Sequence, residues 1–124
     1  MRTPLAHARG LGSAKDGTEH FWRQRVTAVA LIPLAIWFAV SLVAMSGADH
    51  AAVLAWLKQP LPAAAMLLFV ATGFAHLRLG MQVIIEDYVT AETGKIALLM
   101  LNTFFCAGCG TASALAVLKI FFGA

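Results

Sequence analysis

Charge is what this chain has least of. Only 12% of its 124 residues are Asp, Glu, Lys or Arg, too little polar surface to wrap a soluble domain of this size. Three stretches, 26–48, 59–77 and 96–118, contain none of these four residue types apart from their flanks. Each approaches or exceeds the roughly 20 residues a helix needs to cross about 30 Å of hydrocarbon. The chain also lacks internal repeats and a glycine-rich nucleotide-binding loop, and the apolar stretches leave no room for a separate soluble domain. Cysteine is reduced to Cys106 and Cys109. Their spacing matches a redox or metal CxxC, but the pair falls inside the third apolar stretch, with no second pair and no βαβ context. They read as small membrane-buried residues, and no disulfide or metal follows from them.

What is abundant is apolar side chain, 60% of the residues, with a mean hydropathy of +0.81. The pattern predicts an all-α membrane protein with three transmembrane helices at about 22–46, 61–86 and 94–122. These form a transmembrane domain over 20–124, preceded by a cytoplasmic N-terminal segment, 1–19. The net charge of +3 does not indicate nucleic acid, because Arg2, Arg9, Lys15, Arg23 and Arg25 all precede the first span. That asymmetry is a membrane-topology signal. It places the N-terminus in the cytoplasm, 49–58 outside, 86–95 inside and the C-terminus in the periplasm of a bacterial inner membrane. The second inside loop is acidic, so the orientation rests on the N-terminal segment. A cleaved signal peptide has a similar outline, but this apolar run is too long and starts too late for one.

Residues 1–17 are rich in Gly, Ala and charge without an apolar stripe, and are expected to order only against a partner. The first helix is expected to begin near His20-Phe21-Trp22, to kink at Pro33 and to end at Gly47 and Asp49. Pro60 and Pro62 suit the first turn of the second helix, with Trp56 and Lys58 at the outer interface. The third carries Ala107, Gly108, Gly110, Thr111, Ser113 and Ala114, a surface that lets another helix approach closely.

His76 is the most informative side chain. It lies inside the second span, roughly 16 Å along the helix from Asp87, where an imidazole needs a partner. Gly73 and Gly80 leave the adjoining turns bare, so a flat macrocycle could lie against this face. The Thr72 hydroxyl or carbonyl is positioned to take the Nδ1 proton, leaving Nε2 to ligate a haem iron. The alternative is a histidine bonded to a neighbouring helix, with glycines that serve close packing. His7, His20 and His50 lie outside the spans, so a second haem ligand would come from another polypeptide. Arg78 either snorkels to the inner surface or meets an anion, a haem propionate or a lipid phosphate. Arg25 at the inner end of the first helix is open to the same alternatives, beside a plain topology-setting role. Glu86-Asp87-Tyr88 sets carboxylates beside a phenol where the second helix meets the inner surface. A quinone headgroup needs that combination, because Tyr88 can donate to a carbonyl and Asp87 can hold the phenol or relay protons. An interfacial tyrosine beside a helix-ending acid is the plainer reading.

The run His76-Leu-Arg-Leu-Gly80-Met-Gln-Val-Ile-Ile-Glu-Asp87-Tyr88 resembles the small cytochrome b membrane anchors of succinate dehydrogenase. That family has a histidine, a glycine four residues on, and Asp-Tyr at eleven and twelve. The run Gly17-Thr-Glu-His-Phe-Trp-Arg-Gln-Arg25-Val-Thr27-Ala28 is similar to the same family's entry into its first helix. Both runs are collinear, and with the three spans the resemblance covers most of the chain. It implies a heterotetramer: a flavoprotein, an iron–sulfur protein and two cytochrome b anchors that bind haem b and ubiquinone in lipid. His76 matches the axial haem ligand, with the second histidine on the other anchor. Tyr88 matches the quinone-bonding tyrosine, Asp87 its acidic neighbour, and Arg25 an arginine near the haem propionates. The pattern departs at Glu19, where some relatives have histidine, and at Arg78, which is aromatic in some. The implied role is non-catalytic alone: an anchor in electron transfer from succinate to ubiquinone. A fumarate reductase anchor and a non-redox structural or transport protein are the rival readings.

Overall fold

The computed structural model describes residues 4–5 and 14–123. Four helices follow in order: α1, Ala14–Ala44; α2, His50–Leu57; α3, Pro60–Tyr88; and α4, Glu92–Phe121. There is no strand among the described residues. Three helices are long and apolar enough to cross a membrane: Thr18–Ala44, Pro60–Tyr88 and Glu92–Phe121, of 27, 29 and 30 residues. At 1.5 Å per residue these reach about 40–45 Å, the hydrocarbon core plus its headgroup layers.

Two of the expected boundaries hold closely and one moves. Pro60 opens α3 at its first turn, where a missing N–H leaves no bond unmade. The α3–α4 connection is short, and Glu92 in the first turn and Lys119 in the last turn of α4 complement its dipole. The first helix, expected from about 22, begins instead at Ala14. Extending a formed helix adds one hydrogen bond per residue ordered, so it needs no apolar stripe. The Glu19–Arg23 ion pair, one turn apart, supports this inner end. α1 runs through Pro33 as one helix.

The connection between α1 and α3 carries a helix of its own, α2. Gly47, at φ +87°, turns the chain out of α1. Asp49 does not end that helix but caps the next one, its carboxylate accepting from Ala52 N–H at 2.8 Å. The α2 helix that follows stacks Trp56 on Trp37 of α1, with ring centroids 5.7 Å apart.

The helices form a layer. α3 packs against both α1 and α4, whose own backbones come nowhere within 8 Å of each other, Cα to Cα, among the described residues, and α2 meets α3 and α4. Phe38 stacks on Phe69 with centroids 4.7 Å apart, joining α1 to α3. Gly110 lets α4 close on α3, since a Cβ there would meet Phe74 Cβ at 3.4 Å. Only Ala63, Leu79, Ile85, Cys106 and Val117 form a buried core among the described residues. Large apolar side chains such as Val29, Val43 and Leu61 are exposed, which suits lipid or another apolar helix as solvent rather than water.

Candidate functional site

His76 projects from α3 toward α1 and is part-buried. Its Nδ1 lies 3.0 Å from Thr27 Oγ1 on α1. The expected partner was Thr72 on the histidine's own helix, and the structure replaces it with a threonine from another. Tertiary contact decides this, because antiparallel packing of α1 on α3 brings Thr27 and His76 to one level. Gly73 and Gly80 fall as expected: an added Cβ at either would meet nothing within 4 Å. The sides of His76's helix next to the imidazole are therefore open space within this chain.

The two candidate arginines separate. Arg78 follows His76 by two residues, about 200° around the helix, and leaves α3 on nearly the opposite side. It lines a cavity of about 520 Å³ between α1 and α3, with Glu19, Trp22, Arg23 and Thr27. It also lines a second cavity, of about 380 Å³, between α3 and α4, with Phe74, Thr103 and Cys106. Its carbonyl accepts from Asn102 Nδ2 at 3.0 Å, which ties α4 to this turn. Arg25 is exposed, with its guanidinium carbon 5.0 Å from the centroid of the Phe21 ring, a cation–π distance. Thr27, the hydroxyl that meets His76 Nδ1, and Arg78 thus line the same cavity between α1 and α3.

Asp87 and Tyr88 end α3 and are exposed, Tyr88 at 80%. Neither side chain makes a hydrogen bond among the described residues. The neighbouring Glu86 is engaged, accepting from Gln82 Nε2 at 3.1 Å. Leu77, Met81 and Ile85, on the stripe of α3 that leads to Tyr88, line an apolar cavity of about 330 Å³ closed by Leu98, Leu101 and Phe105 of α4. A phenol donor with a free hydroxyl thus stands at the end of an apolar groove.

Two residues were not singled out by the sequence reading for these positions. Thr27 lies inside the first-helix run that carries the resemblance, but spacing along one chain does not say which α1 residue faces His76. His20 sits two helical turns before Thr27 on the same side of α1, and its buried Nε2 has no hydrogen-bond partner among the described residues. Cys106 is buried and its Sγ donates to Asn102 Oδ1 at 3.6 Å within α4.

Comparison with known proteins adds to this geometry. A family model described as "Succinate dehydrogenase/Fumarate reductase transmembrane subunit" matches residues 1–111. The chain is 38% identical over 97 residues to the succinate dehydrogenase hydrophobic membrane anchor subunit of Paracoccus denitrificans, covering 78% of this chain and 75% of that protein. It is 33% identical over 105 residues to the protein of the same description from Rickettsia bellii, covering 85% and 84%. The corresponding Rickettsia conorii protein is 31% identical over 107 residues, covering 86% and 85%. No solved structure matches the chain at a comparable level.

Proposed function

The chain belongs to the succinate dehydrogenase/fumarate reductase transmembrane-subunit family, and from that premise we propose that it is the hydrophobic membrane anchor of a succinate:ubiquinone oxidoreductase. It is a multi-pass protein of the bacterial inner membrane. Its N-terminus faces the cytoplasm and its C-terminus the periplasm. It holds the flavoprotein and iron–sulfur subunits at the membrane beside a second cytochrome b anchor.

The observation that carries the cofactor assignment is His76: an imidazole in a membrane span, with Nδ1 engaged by Thr27 and open space over Gly73 and Gly80. A side-on haem b needs one free imidazole nitrogen and no side chains on the flanking turns, and these residues fit it. When bound, haem b supplies a one-electron store close to the quinone site. His76 would hold the iron through Nε2, and the resemblance implies that a second histidine would come from the other anchor. Arg25, exposed and carrying only a ring contact, is the propionate partner that the resemblance implies. Arg78 reaches a propionate only around the far side of α3, and a lipid phosphate in the α1–α3 cavity is its nearer anion.

Ubiquinone binds at the inner end of α3. Its tail suits an apolar groove, and its headgroup needs a donor at the carbonyl. The Tyr88 hydroxyl, free of other hydrogen bonds among the described residues, donates to that oxygen, and Asp87 passes protons from water as the carbonyl is reduced. The fumarate reductase reading shares all of this geometry. The relatives named as succinate dehydrogenase anchors favour succinate oxidation. A non-redox structural protein would be colourless.

The test is a dithionite-reduced minus oxidised visible spectrum of the detergent-purified complex carrying this chain, with mass spectrometry of what co-purifies. A b-type haem band with a flavoprotein and an iron–sulfur protein is expected. A colourless preparation without soluble partners overturns the assignment.

A further inference from the structure

The inner part of α1 carries a chain of hydrogen bonds that ends on His76. Thr27 Oγ1 lies 2.8 Å from the carbonyl oxygen of Arg23 and 3.0 Å from that of Gln24. It also lies 3.0 Å from His76 Nδ1. A hydroxyl has one proton to give and lone pairs to receive with, whereas a carbonyl oxygen only accepts. If Thr27 donated to Nδ1, its oxygen would face two carbonyl oxygens at hydrogen-bond distance with no hydrogen between them. Such lone-pair repulsion in a part-buried site is costly. The three contacts are reconciled when the Thr27 proton is shared between the Arg23 and Gln24 carbonyl oxygens and Nδ1–H of His76 donates to the Thr27 oxygen. A neutral imidazole protonated on Nδ1 carries its lone pair on Nε2.

We infer that Thr27 is a positioning residue that fixes the tautomer and ring orientation of His76 and so keeps Nε2 free to act as the metal-binding nitrogen. The inference rests on the reading of His76 as a haem ligand and adds to it the group that prepares the ligand. Thr27 does not touch the iron; it acts through Nδ1. Its hydroxyl is in turn held by the main chain of α1, so the orientation of the imidazole depends on how α1 packs on α3. A hydrogen bond accepted from Nδ1–H also makes the imidazole a stronger donor to the metal. A stronger donor stabilises oxidised iron over reduced iron and lowers the reduction potential.

The experiment is a redox titration of the whole detergent-purified complex, followed at the haem α-band, for wild type, Thr27→Val and Thr27→Ser. Valine keeps the shape of threonine and replaces the hydroxyl with a methyl group. The expected result is a midpoint potential shifted upward in Thr27→Val and returned toward wild type in Thr27→Ser. Succinate oxidation by a soluble artificial acceptor stays unchanged in both. Thr27→Ala removes the same hydroxyl without filling its place, and reads the same shift if the valine complex does not assemble. A midpoint that is the same in wild type and in the hydroxyl-less variants overturns the inference and leaves His76 as ligand. His76→Leu separates the two ideas: a haem spectrum that survives this change removes His76 from the iron, and Thr27's role goes with it.

Discussion

Tyr88 shows how much a single side chain's surroundings decide. The hydroxyl is 80% exposed with its residue and has no partner among the described residues, so its donor is available to a ligand. Replacing it by Phe removes one hydrogen bond and almost no volume. Tyr88→Phe is expected to lower ubiquinone reduction by about 10-fold or more, the scale of a lost bond to a polar ligand oxygen at about 1.5–3 kcal/mol. Electron transfer from succinate to a soluble acceptor should be unaffected, because the flavin lies in another polypeptide. Parallel assays with the two acceptors check this, and equal loss in both would take Tyr88 out of the quinone site. His76, Gly80, Asp87 and Tyr88 were recognisable as candidates because their types and spacing are unusual inside or beside an apolar span. Thr27 was not, because a threonine near a helix entry is ordinary until the residue opposite it is known.

At the scale of elements, α3 and α4 form the most extensive pairing among the described residues, and Gly110 lies in it against Phe74. An added Cβ would sit 3.4 Å from Phe74 Cβ, ordinary contact, so Gly110→Ala should be tolerated. A longer side chain has nowhere to go without separating the helices. Gly110→Leu is expected to destabilise by about 1–3 kcal/mol, the usual scale of overpacking. A lower melting temperature of the purified complex, with Gly110→Ala close to wild type, is the outcome to look for. The extent of α1 and the existence of α2 escaped the sequence reading for the same reason. Both depend on local bonds, the Glu19–Arg23 pair and the Asp49 cap, rather than on apolar periodicity.

For the whole molecule, the central fact is how little it buries. A layer of three helices in which only α3 packs closely on both others among the described residues has open faces, and only small stretches of α3 and α4 are covered. His76 lies deep within its span whereas His20 lies at the very start of Thr18–Ala44, so on the proposed assignment the chain offers a haem a single axial ligand. Purified without the second anchor, it is expected to carry close to no haem by pyridine haemochrome assay, with a stoichiometric level restored by co-expression of that anchor. Full haem loading of the isolated chain would show that the second ligand lies within it. The His20 Nε2, buried without a partner among the described residues, is a further group on α1 that this chain alone leaves unsatisfied.

The sequence by itself determined the class of the protein, because three uncharged apolar runs have no stable home outside a bilayer and a helix is the only structure a single run can adopt there. It also singled out the helix that carries the proposed ligand, since His76, its glycines and the Asp-Tyr pair lie on one continuous run where spacing translates directly into position. What pairs with what across helices was decided only by tertiary structure. The packing of α1 on α3 gave His76 Thr27 rather than Thr72, and it set Thr27 and Arg78 around one cavity between the two helices. Those outcomes depend on the rotation and level of one helix against another, which short-range periodicity does not encode.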